Sequence, residues 1–435
     1  MKFEDIRLKG FSKRIKLQDA IKRSLMELPS FPSEEIELKT TSISNRILNQ
    51  EIYSKRTIPP FNRSAVDGYA VKASDTIGAS ENTPVILKII DELQIGQVPT
   101  ISLEVGKTIQ IPTGGVIPNG ADAVIMIEDT EKLPESNDIE IYASIHPGKN
   151  VAKSGEDLEE NELLFKAGRK LKAIDRAFLL SAGIKTIKTS TIPKIAIFST
   201  GNELIEAWKE QISPGKIPDV NSVNLFELCL EERWYPEIKG IIPDEESSLR
   251  QAILDSARMY DVLLFTGGSS VGEKDYIPII LNEIGRLIFH GIAMRPGGPV
   301  SAARVDNTIV FGLPGFPAAT LISFQFLVKP VLYSLMGMDS KYKPLIVDAK
   351  VSRNVGSKLG RLDFLRVRFE KDSSGKRIAI PIQIGGSGLL KSLVQGNGII
   401  PIPESSEGLK KDDIVDVVVL NADYMDLPPW KQESV

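Results

Sequence analysis

Hydrophobic and polar positions change their rhythm along the chain. LQDAIKRSLMEL, at 17–28, spaces its apolar residues as one face of a helix. From about 45 to 149, short apolar runs such as TPVILKII and ADAVIMIED are cut by proline and glycine, which is typical of strands. GKNVAKSGEDLEENELL then has the composition of a linker, and DRAFLLSAGI predicts a helix closed by Gly183.

Between about 192 and 338, strand and helix patterns alternate. KIAIFST, YPEIKGIIP and DVLLFT are strand patterns, and NSVNLFELCLEERW predicts a helix capped by Asn221 or Ser222. VSAARVDNTIVFGLP predicts a hairpin that turns at Asp306, and AATLISFQFLVKPVLYSLMG a long buried helix that Pro330 kinks. Such alternation predicts βαβ units and a mostly parallel sheet.

The chain after Lys341 returns to a strand texture. LIVDAKV, DFLRVRFE, KRIAIPI, GIIPIP and IVDVVVL are separated by turn signals such as DSSGK. This predicts a small C-terminal β-barrel or sandwich.

Composition narrows the class of protein. The 435 residues are 42% hydrophobic and 25% charged, with a net charge of −4, which predicts two to four globular domains and neither a nucleic-acid nor a membrane partner. The single cysteine, Cys229, excludes an internal disulfide, and the two histidines, His146 and His290, exclude a histidine-rich metal site. No apolar run reaches about 18 residues and no signal peptide is visible, so we expect a cytoplasmic protein.

The loop FTGGSSVGEKDY, at 265–276, follows a predicted buried strand and opens a helix. Converging backbone N–H groups at such a junction bind oxyanions, and Gly267 and Gly268 allow close approach. Ser269 and Ser270 add hydroxyl donors, and Asp275 is placed to hold Mg²⁺ on a bound phosphate. The alternative interpretation is a tight turn capped by Asp275.

Neighbouring strand ends carry similar chemistry. STGNEL places Glu203 after one strand, and Asp244 follows another. RPGGPV contains Arg295, and GLPGFPAAT contains Pro314 and Gly315 before a helix. Because ligands bind at the carboxyl ends of strands in open α/β sheets, these junctions together predict a phosphate or oxyanion site.

Three further loops contain polar candidates. They are Asp67 in SAVDGYAV, Thr113 in IPTGG and Asp157 in GEDL. A simpler interpretation makes each a turn, with Asp67 and Gly68 as a tight-turn pair. Periodicity alone does not place these loops near the predicted sheet.

Seven motifs occur in a fixed order: PPFNRSAVDGYAV, IPTGGVIPNGADAVIMIEDT, GKNVAKSGEDL, FSTGNEL, FTGGSSVGEKDY, MRPGGPV and GLPGFPAAT. In these motifs the chain resembles the MoeA family of molybdopterin molybdenumtransferases, whose eukaryotic relatives include the gephyrin E domain. The resemblance runs from about 10 to 420.

The resemblance implies a multidomain α/β plus β fold in a cytoplasmic homodimer. Its domains would be a discontinuous elongated domain (1–44 and 150–191), a β-rich domain (45–149), an α/β molybdopterin-binding-type domain (192–338) with a mostly parallel sheet, and a β-barrel (339–435). The active site would lie between the α/β domain of one subunit and the β-rich domain of the other, so that Asp67 and Thr113 reach Asp275.

The implied reaction is Mg²⁺-dependent cleavage of adenylylated molybdopterin, with release of AMP and insertion of molybdenum from molybdate into the dithiolene. The matching positions are Asp67, Thr113, Asp157, Glu203, Asp244, Asp275 and Arg295. Asp244 and Asp275 would lie near the metal. The residues that would bind the cofactor and its phosphate are Gly267, Gly268, Ser269, Ser270, Arg295, Pro314 and Gly315.

Three positions depart from the family pattern. Gly298 and Gly291 stand where relatives often carry lysine, and Phe316 stands where asparagine is usual. Each change removes a donor, which weakens oxyanion binding and leaves the choice between molybdate and tungstate open.

Other functions stay open at this stage. A tungsten-inserting homologue and a gephyrin-like scaffold both fit the resemblance, while SAVDGYAV, EKDY and the C-terminal barrel argue against the related molybdopterin adenylyltransferase. A scaffold has no need of Asp67, Glu203, Asp244 and Asp275 together. Whether a separate adenylyltransferase docks as a partner is also left open.

Overall fold

The computed structural model describes residues 14–134, 136–267, 276–338, 343–371, 375–382 and 390–420. The first helix, Leu17–Met26, confirms the helical pattern at 17–28. Its buried Leu17 and Ala20 belong to the main apolar cluster of the α/β part of the chain. The N-terminal segment is therefore packed onto a region that lies much later in the sequence.

Residues 33–53 pair with residues 163–190, although the β-rich segment separates them in sequence. Ser33–Glu37 runs antiparallel to Thr186–Ser190, and Ile52–Tyr53 pairs with Leu163–Phe165. The helix Ala173–Ser181 completes this unit. Gly183 follows it with a φ of +83°, as expected for a glycine that closes a helix.

The β-rich segment forms a six-stranded sheet with apolar clusters on both faces. Its spatial order is Ala123–Met126, Gly68–Val71, Lys107–Ile111, Val85–Glu92, Asp138–Ile141 and Thr130–Lys132. Gly68 begins the strand Gly68–Val71 and pairs with Ile111 and Met126, so the interpretation of Asp67 and Gly68 as a tight-turn pair is wrong. A Cβ on Gly68 would clash with the carbonyl oxygen of Ile125, and close strand approach is therefore the reason for glycine.

A second six-stranded sheet forms the centre of the α/β part, in the order Tyr235–Ile242, Lys194–Thr200, Val262–Thr266, Thr308–Leu313, Ser301–Val305 and Arg286–His290. The first four strands are parallel, which confirms the predicted topology. Leu264 belongs to one apolar cluster and Phe265 to another, so both faces of the sheet are buried. The covering helices are Asn221–Glu231, Glu246–Ser256, Tyr276–Ile284 and Pro317–Leu335.

The long helix Pro317–Leu335 changes register at its centre. Phe324–Val328 forms a π-helical turn, and the helix then passes through Pro330 without ending. A π turn absorbs the hydrogen bond that proline cannot donate. This helix is long and apolar enough to cross a membrane, but 78% of its most apolar window is buried in the protein, so we interpret it as a core helix.

The C-terminal part is a closed five-stranded barrel, which decides between the predicted barrel and sandwich. The strands follow the order Leu362–Lys371, Arg377–Pro381, Ile346–Val351, Ile414–Val419 and Gly398–Ile402, and the last pairs with the first. Met294–Arg295, from the α/β part, pairs in parallel with Leu362 and Asp363. The loop that contains Arg295, the arginine loop, is thereby attached to the barrel through its backbone.

Short elements complete the described chain. They are the strand pairs Arg63–Ser64 with Val151–Ala152, Leu204–Glu206 with Ile217–Asp219 and Val355–Gly356 with Gly408–Leu409, the helix Leu390–Val394, and the 3₁₀ turns Ala73–Thr76 and Ile127–Asp129.

Candidate functional site

The carboxyl ends of the four parallel strands meet at one edge of the α/β sheet. Gly267 has a φ of +92° and donates its N–H to the carbonyl of Leu313 at 3.2 Å. A Cβ at this position would clash with the carbonyl oxygen of Thr200. Gly315 lies beside it, since a Cβ there would be 3.5 Å from the Gly267 Cα. Two glycines therefore bring three strand ends into backbone contact.

Two buried oxygen atoms at this edge have no hydrogen-bond partner in the described part of the chain. One is the hydroxyl oxygen of Thr200, a residue that is 1% exposed, and the other is Oδ1 of Asn221. The Asn221 amide nitrogen donates to the carbonyl of Gly315 at 2.7 Å, which fixes the side chain at the edge. Unpaired buried polar atoms are uncommon in folded proteins, and here they indicate a ligand-binding edge.

Asn221 reaches the sheet edge because another residue caps its helix. The helix Asn221–Glu231 begins after Val220, and the carboxylate of Asp219 accepts the Ser222 N–H at 3.2 Å and the Ser222 hydroxyl at 2.6 Å. The prediction that Asn221 or Ser222 caps the helix is therefore wrong. With Asp219 in that role, the Asn221 side chain is available for the site.

Glu203 and Asp244 lie in the loops that follow two neighbouring strands, and a hydrogen bond joins these loops. Gly201 has a φ of +150°, and a Cβ there would be 2.7 Å from Oε2 of Glu203, so the carboxylate folds over the glycine. Asn202 Oδ1 accepts the Asp244 N–H at 3.4 Å, and its carbonyl accepts Lys216 Nζ at 2.6 Å. Sequence reasoning identified the two carboxylates but missed Asn202 and Lys216. The STGNEL motif contains the first of them, and no local pattern marks the second.

Arg295 and the loop PGFP, at 314–317, line a cleft of about 410 Å³ between the α/β part and the barrel. Pro314 and Phe316 lie on one side and Asp363 and Arg366 on the other. Arg366, which is 8% exposed, donates to the Ser392 hydroxyl at 2.7 Å, and burial lowers the pKa of its guanidinium. The cleft therefore has two arginines, of which sequence reasoning selected only the first.

The structure also places the three departures from the family pattern. A Cβ on Gly298 would be 3.8 Å from the guanidinium carbon of Arg14, so an arginine from the N-terminal segment occupies the adjacent space. Gly291 has a φ of +88°, which disfavours any side chain. Phe316 is 61% exposed and presents an aromatic ring where an amide was expected. Arg14 thus supplies a cation beside Gly298, and Arg366 supplies one to the cleft.

Asp67 and Thr113 form a second group, on the β-rich part, and Asp157 lies in a separate loop. Asp67 Oδ1 accepts the Thr113 N–H at 2.8 Å, which brings two predicted residues together. Asp157 donates its N–H to the carbonyl of Ile58 at 3.1 Å, in a loop where Ser154 N–H also bonds Asn62 Oδ1 at 2.9 Å. Within the described part of the chain, Asp67 and Thr113 make no hydrogen bond to the α/β sheet edge.

Four predicted residues, Gly268, Ser269, Ser270 and Asp275, lie outside the described residues. Within the described ranges, no group of three or more acidic, histidine or cysteine side chains is arranged to hold a metal ion. A metal at this edge would therefore need ligands from a substrate or from the segment that follows Gly267.

Comparison with known proteins agrees with the architecture. Residues 15–183 match the model of the MoeA N-terminal region (domain I and II), residues 196–334 that of a "Probable molybdopterin binding domain", and residues 348–420 that of the MoeA C-terminal region (domain IV).

Individual relatives match over nearly the whole chain. A protein of Methanocaldococcus jannaschii, provisionally named for molybdopterin biosynthesis, is 34% identical over 93% of this chain and 98% of its own length. The molybdopterin molybdenumtransferase of Haemophilus influenzae is 30% identical over 93% and 98%. The crystal structure of a molybdopterin biosynthesis MoeA protein from Pyrococcus horikoshii is 32% identical, covers 94% of this chain and all of its own, and superposes with a TM-score of 0.81. The fold, the ordered motifs and these matches together place the chain in the MoeA family.

Proposed function

We propose that this protein is a molybdopterin molybdenumtransferase that cleaves adenylylated molybdopterin, releases AMP and inserts molybdenum into the dithiolene. The observation that carries the proposal is the convergence of Thr200, Asn221, Glu203 and Asp244 at the glycine-lined edge of the α/β sheet. Such an edge suits a nucleotide-linked phosphate, because backbone N–H groups and hydroxyls can surround its oxygens.

In this proposal the sheet edge binds the phosphoanhydride. The Thr200 hydroxyl, which has no acceptor among the described residues, donates to a phosphate oxygen. Asn221 keeps Gly315 against Gly267, so that both backbones remain close to the ligand. Water attacks one phosphorus atom, the bridging P–O bond breaks, and the two products are AMP and molybdopterin.

The donor set at this edge fits Mg²⁺ in part. Carboxylate and amide oxygens of Asp244, Glu203 and Asn202 are hard ligands of the type that Mg²⁺ prefers. Mg²⁺ is commonly held by one or two carboxylates together with substrate phosphates. We propose Asp244 and Asp275 as its ligands. When bound, the ion would neutralise negative charge on the phosphates.

The cleft lined by Arg295 and Arg366, named the arginine cleft, is proposed as the molybdate-binding region. Molybdate is a tetrahedral dianion, and Arg295 and Arg366 offer guanidinium groups that hydrogen bond oxyanions well. As sulfur replaces an oxo ligand of the substrate, that oxygen takes up two protons and leaves as water. The two S–H groups of the dithiol release two protons as their sulfurs bind the metal, and waters near the carboxylates at the sheet edge would relay these protons to the departing oxygen.

A homodimer would join the two groups of residues. Asp67 and Thr113 are held together on the β-rich sheet, away from the hydrogen bonds of the α/β edge. We propose that this pair, with Asp157, completes the edge of a second subunit. The test is to mix Asp67→Asn with Asp244→Asn protein, because mixed dimers would restore one intact site and regain activity that neither variant has alone.

The function is tested by anaerobic incubation of the protein with adenylylated molybdopterin, Mg²⁺ and either molybdate or tungstate. We expect oxyanion-stimulated AMP release together with metal-loaded cofactor, and the preferred oxyanion identifies the transferred metal. Asp275→Asn is expected to abolish insertion and to leave the unfolding midpoint unchanged. Tight substrate binding without AMP release would contradict the proposal and favour a scaffold.

A further inference from the structure

A second cleft, of about 490 Å³, lies at the opposite end of the α/β sheet. Tyr235, which lines it, begins the strand Tyr235–Ile242, and Ile192, which also lines it, lies two residues before the strand Lys194–Thr200. These strands are parallel, and their carboxyl ends carry Gly201 and Asp244. At about 3.3 Å per residue, a seven-residue strand separates this cleft from the proposed catalytic edge by about 20 Å.

One wall of this cleft is rich in hydrogen-bond donors. It has four hydroxyl side chains, Thr40, Thr41, Ser42 and Ser44, followed by Arg46. The facing wall carries Arg233, whose Nη1 donates to the Ser42 hydroxyl at 2.9 Å. We name this region the hydroxyl cleft. A third side, formed by Ile192, Leu230 and Met336, is apolar.

Trp234 is the first sign that a ligand belongs in the hydroxyl cleft. The residue is 1% exposed and lines the cleft, and its indole Nε1–H has no acceptor among the residues that the structure describes. A buried donor without a partner costs about 1–3 kcal/mol, so it is normally satisfied by something. An indole N–H can only donate, and the group that satisfies it must be an acceptor.

The backbone of Arg233 is the second sign. Trp234 N–H bonds the carbonyl of Cys229 at 3.0 Å and Arg233 N–H bonds that of Leu230 at 2.8 Å, which is a Schellman motif. Glycine is the usual residue at the position of Arg233, because the φ there is +61°. Two of the last helix carbonyls are already satisfied by these bonds, so the guanidinium is not required to cap them.

Charge around the cleft favours a negative ligand. Arg46 is paired with Glu34, and buried Glu232 is contacted by both Lys170 and Lys329. No salt bridge is found for Arg233 within the described ranges. These five charged side chains are two carboxylates and three cations, and Arg233 adds a fourth cation.

We propose that the hydroxyl cleft binds a small organic oxyanion, with its phosphate or carboxylate head on Arg233, Trp234 Nε1 and the hydroxyl side chains. The apolar side of the cleft takes the body of the same molecule. The cleft volume lies within the range of small-molecule sites, which is about 300–1,000 Å³. The site is separate from the proposed catalytic edge, so binding here does not depend on the proposed reaction.

The test follows the indole resonance of Trp234 in the full-length protein. The chain has three tryptophans, and Trp208→Phe with Trp430→Phe leaves Trp234 as the sole reporter. ¹⁵N-labelled protein is titrated with phenyl phosphate, benzoate and inorganic phosphate. We expect a saturable shift of the Nε1–H resonance, with phenyl phosphate binding more tightly than inorganic phosphate. A response to phenyl phosphate alone, or to benzoate alone, supports the site and identifies the head group.

Arg233→Gly is the decisive variant, since glycine is the ordinary residue at that φ and the fold should be kept. We expect it to weaken binding about tenfold or more, through loss of a charge-assisted hydrogen bond. If its unfolding midpoint falls, Arg233→Asn is used instead, because asparagine also tolerates positive φ.

Two controls match the two changes made by that variant. Asn161→Gly relieves a φ of +68° elsewhere, and Arg258→Gly removes an exposed arginine elsewhere. Both should bind the probes like the parent protein. The proposal is overturned if no probe shifts the Trp234 resonance, or if the Arg233 variants bind as the parent does.

Discussion

Replacing Glu232 by glutamine should destabilise the junction between the α/β sheet and the unit formed by residues 33–53 and 163–190, the N-terminal unit, by about 3 kcal/mol. Glu232 is 9% exposed. Its carboxylate pairs with Lys329, accepts the Tyr333 hydroxyl, and lies 3.3 Å from Lys170 of the N-terminal unit. A neutral amide leaves two lysines without their counter-charge. Removal of one partner from a buried pair costs about 3–5 kcal/mol, and the partial exposure of Lys170 favours the lower value.

The same carboxylate predicts how stability depends on pH. Burial opposes ionisation of Glu232, but Lys329 and Lys170 outweigh it and hold the pKa below its ordinary value of 4.5. Because the pKa is lower in the folded state, the stabilisation is present above about pH 4.5 and is lost as the pH falls through the folded value. Glu232→Gln should therefore lose less stability than the parent protein between pH 5 and pH 3.

The measurement is urea unfolding at pH 7, followed by the fluorescence of Trp234 in the single-tryptophan protein. Trp234 packs edge-on against Tyr333 with 5.6 Å between ring centroids, so it reports on this junction. Glu237→Gln serves as the control, because its pair with Lys239 is exposed and should contribute less than about 1 kcal/mol. A loss below 1 kcal/mol for Glu232→Gln would refute the reasoning.

Further predictions concern the sheet edge and the arginine cleft. Gly267→Ala should lose about 1–3 kcal/mol and most AMP release, because its Cβ would meet the Thr200 carbonyl. Gly356→Ala, with no atom within 4 Å of its Cβ, should leave thermal unfolding unchanged. Asp219→Ala should cost about 1 kcal/mol in chemical denaturation through loss of the Ser222 cap, and an unchanged midpoint would contradict that role. Arg366→Gln should raise the molybdate concentration needed for half-maximal AMP release about tenfold, whereas equal responses in variant and parent would exclude Arg366 from the site.

Much of the fold could be predicted because periodicity is a local property. The runs KIAIFST and DVLLFT are the strands Lys194–Thr200 and Val262–Thr266, and the five C-terminal runs are the five barrel strands. Closure of the barrel depends on the pairing of Leu362–Lys371 with Gly398–Ile402, which no local pattern specifies. The same limit applies to the helix cap, where Asp219 and Asn221 are both good capping residues and tertiary contacts decide between them.

The site was predictable where motif residues lie on the strand ends themselves. Glu203, Gly267 and Gly315 follow three strands directly, and their meeting at one edge follows from parallel topology. Arg366 lies in the barrel strand Leu362–Lys371, where the pattern of apolar residues predicts burial but no binding role. Arg14 lies close to Gly298 in space but far from it in sequence. Contacts between distant units therefore supply cations that a motif search does not find.

The backbone pairing of Met294–Arg295 with Leu362 and Asp363 has a consequence for protein engineering. The barrel cannot be exchanged as an independent domain. The strand that pairs with it at Leu362 and Asp363 contains Arg295, whose guanidinium belongs to the proposed oxyanion site. A truncated chain without the barrel would lose the anchor of that arginine along with the opposite wall of the cleft. Recombination between relatives should therefore place its crossover so that the arginine loop and the barrel come from the same parent.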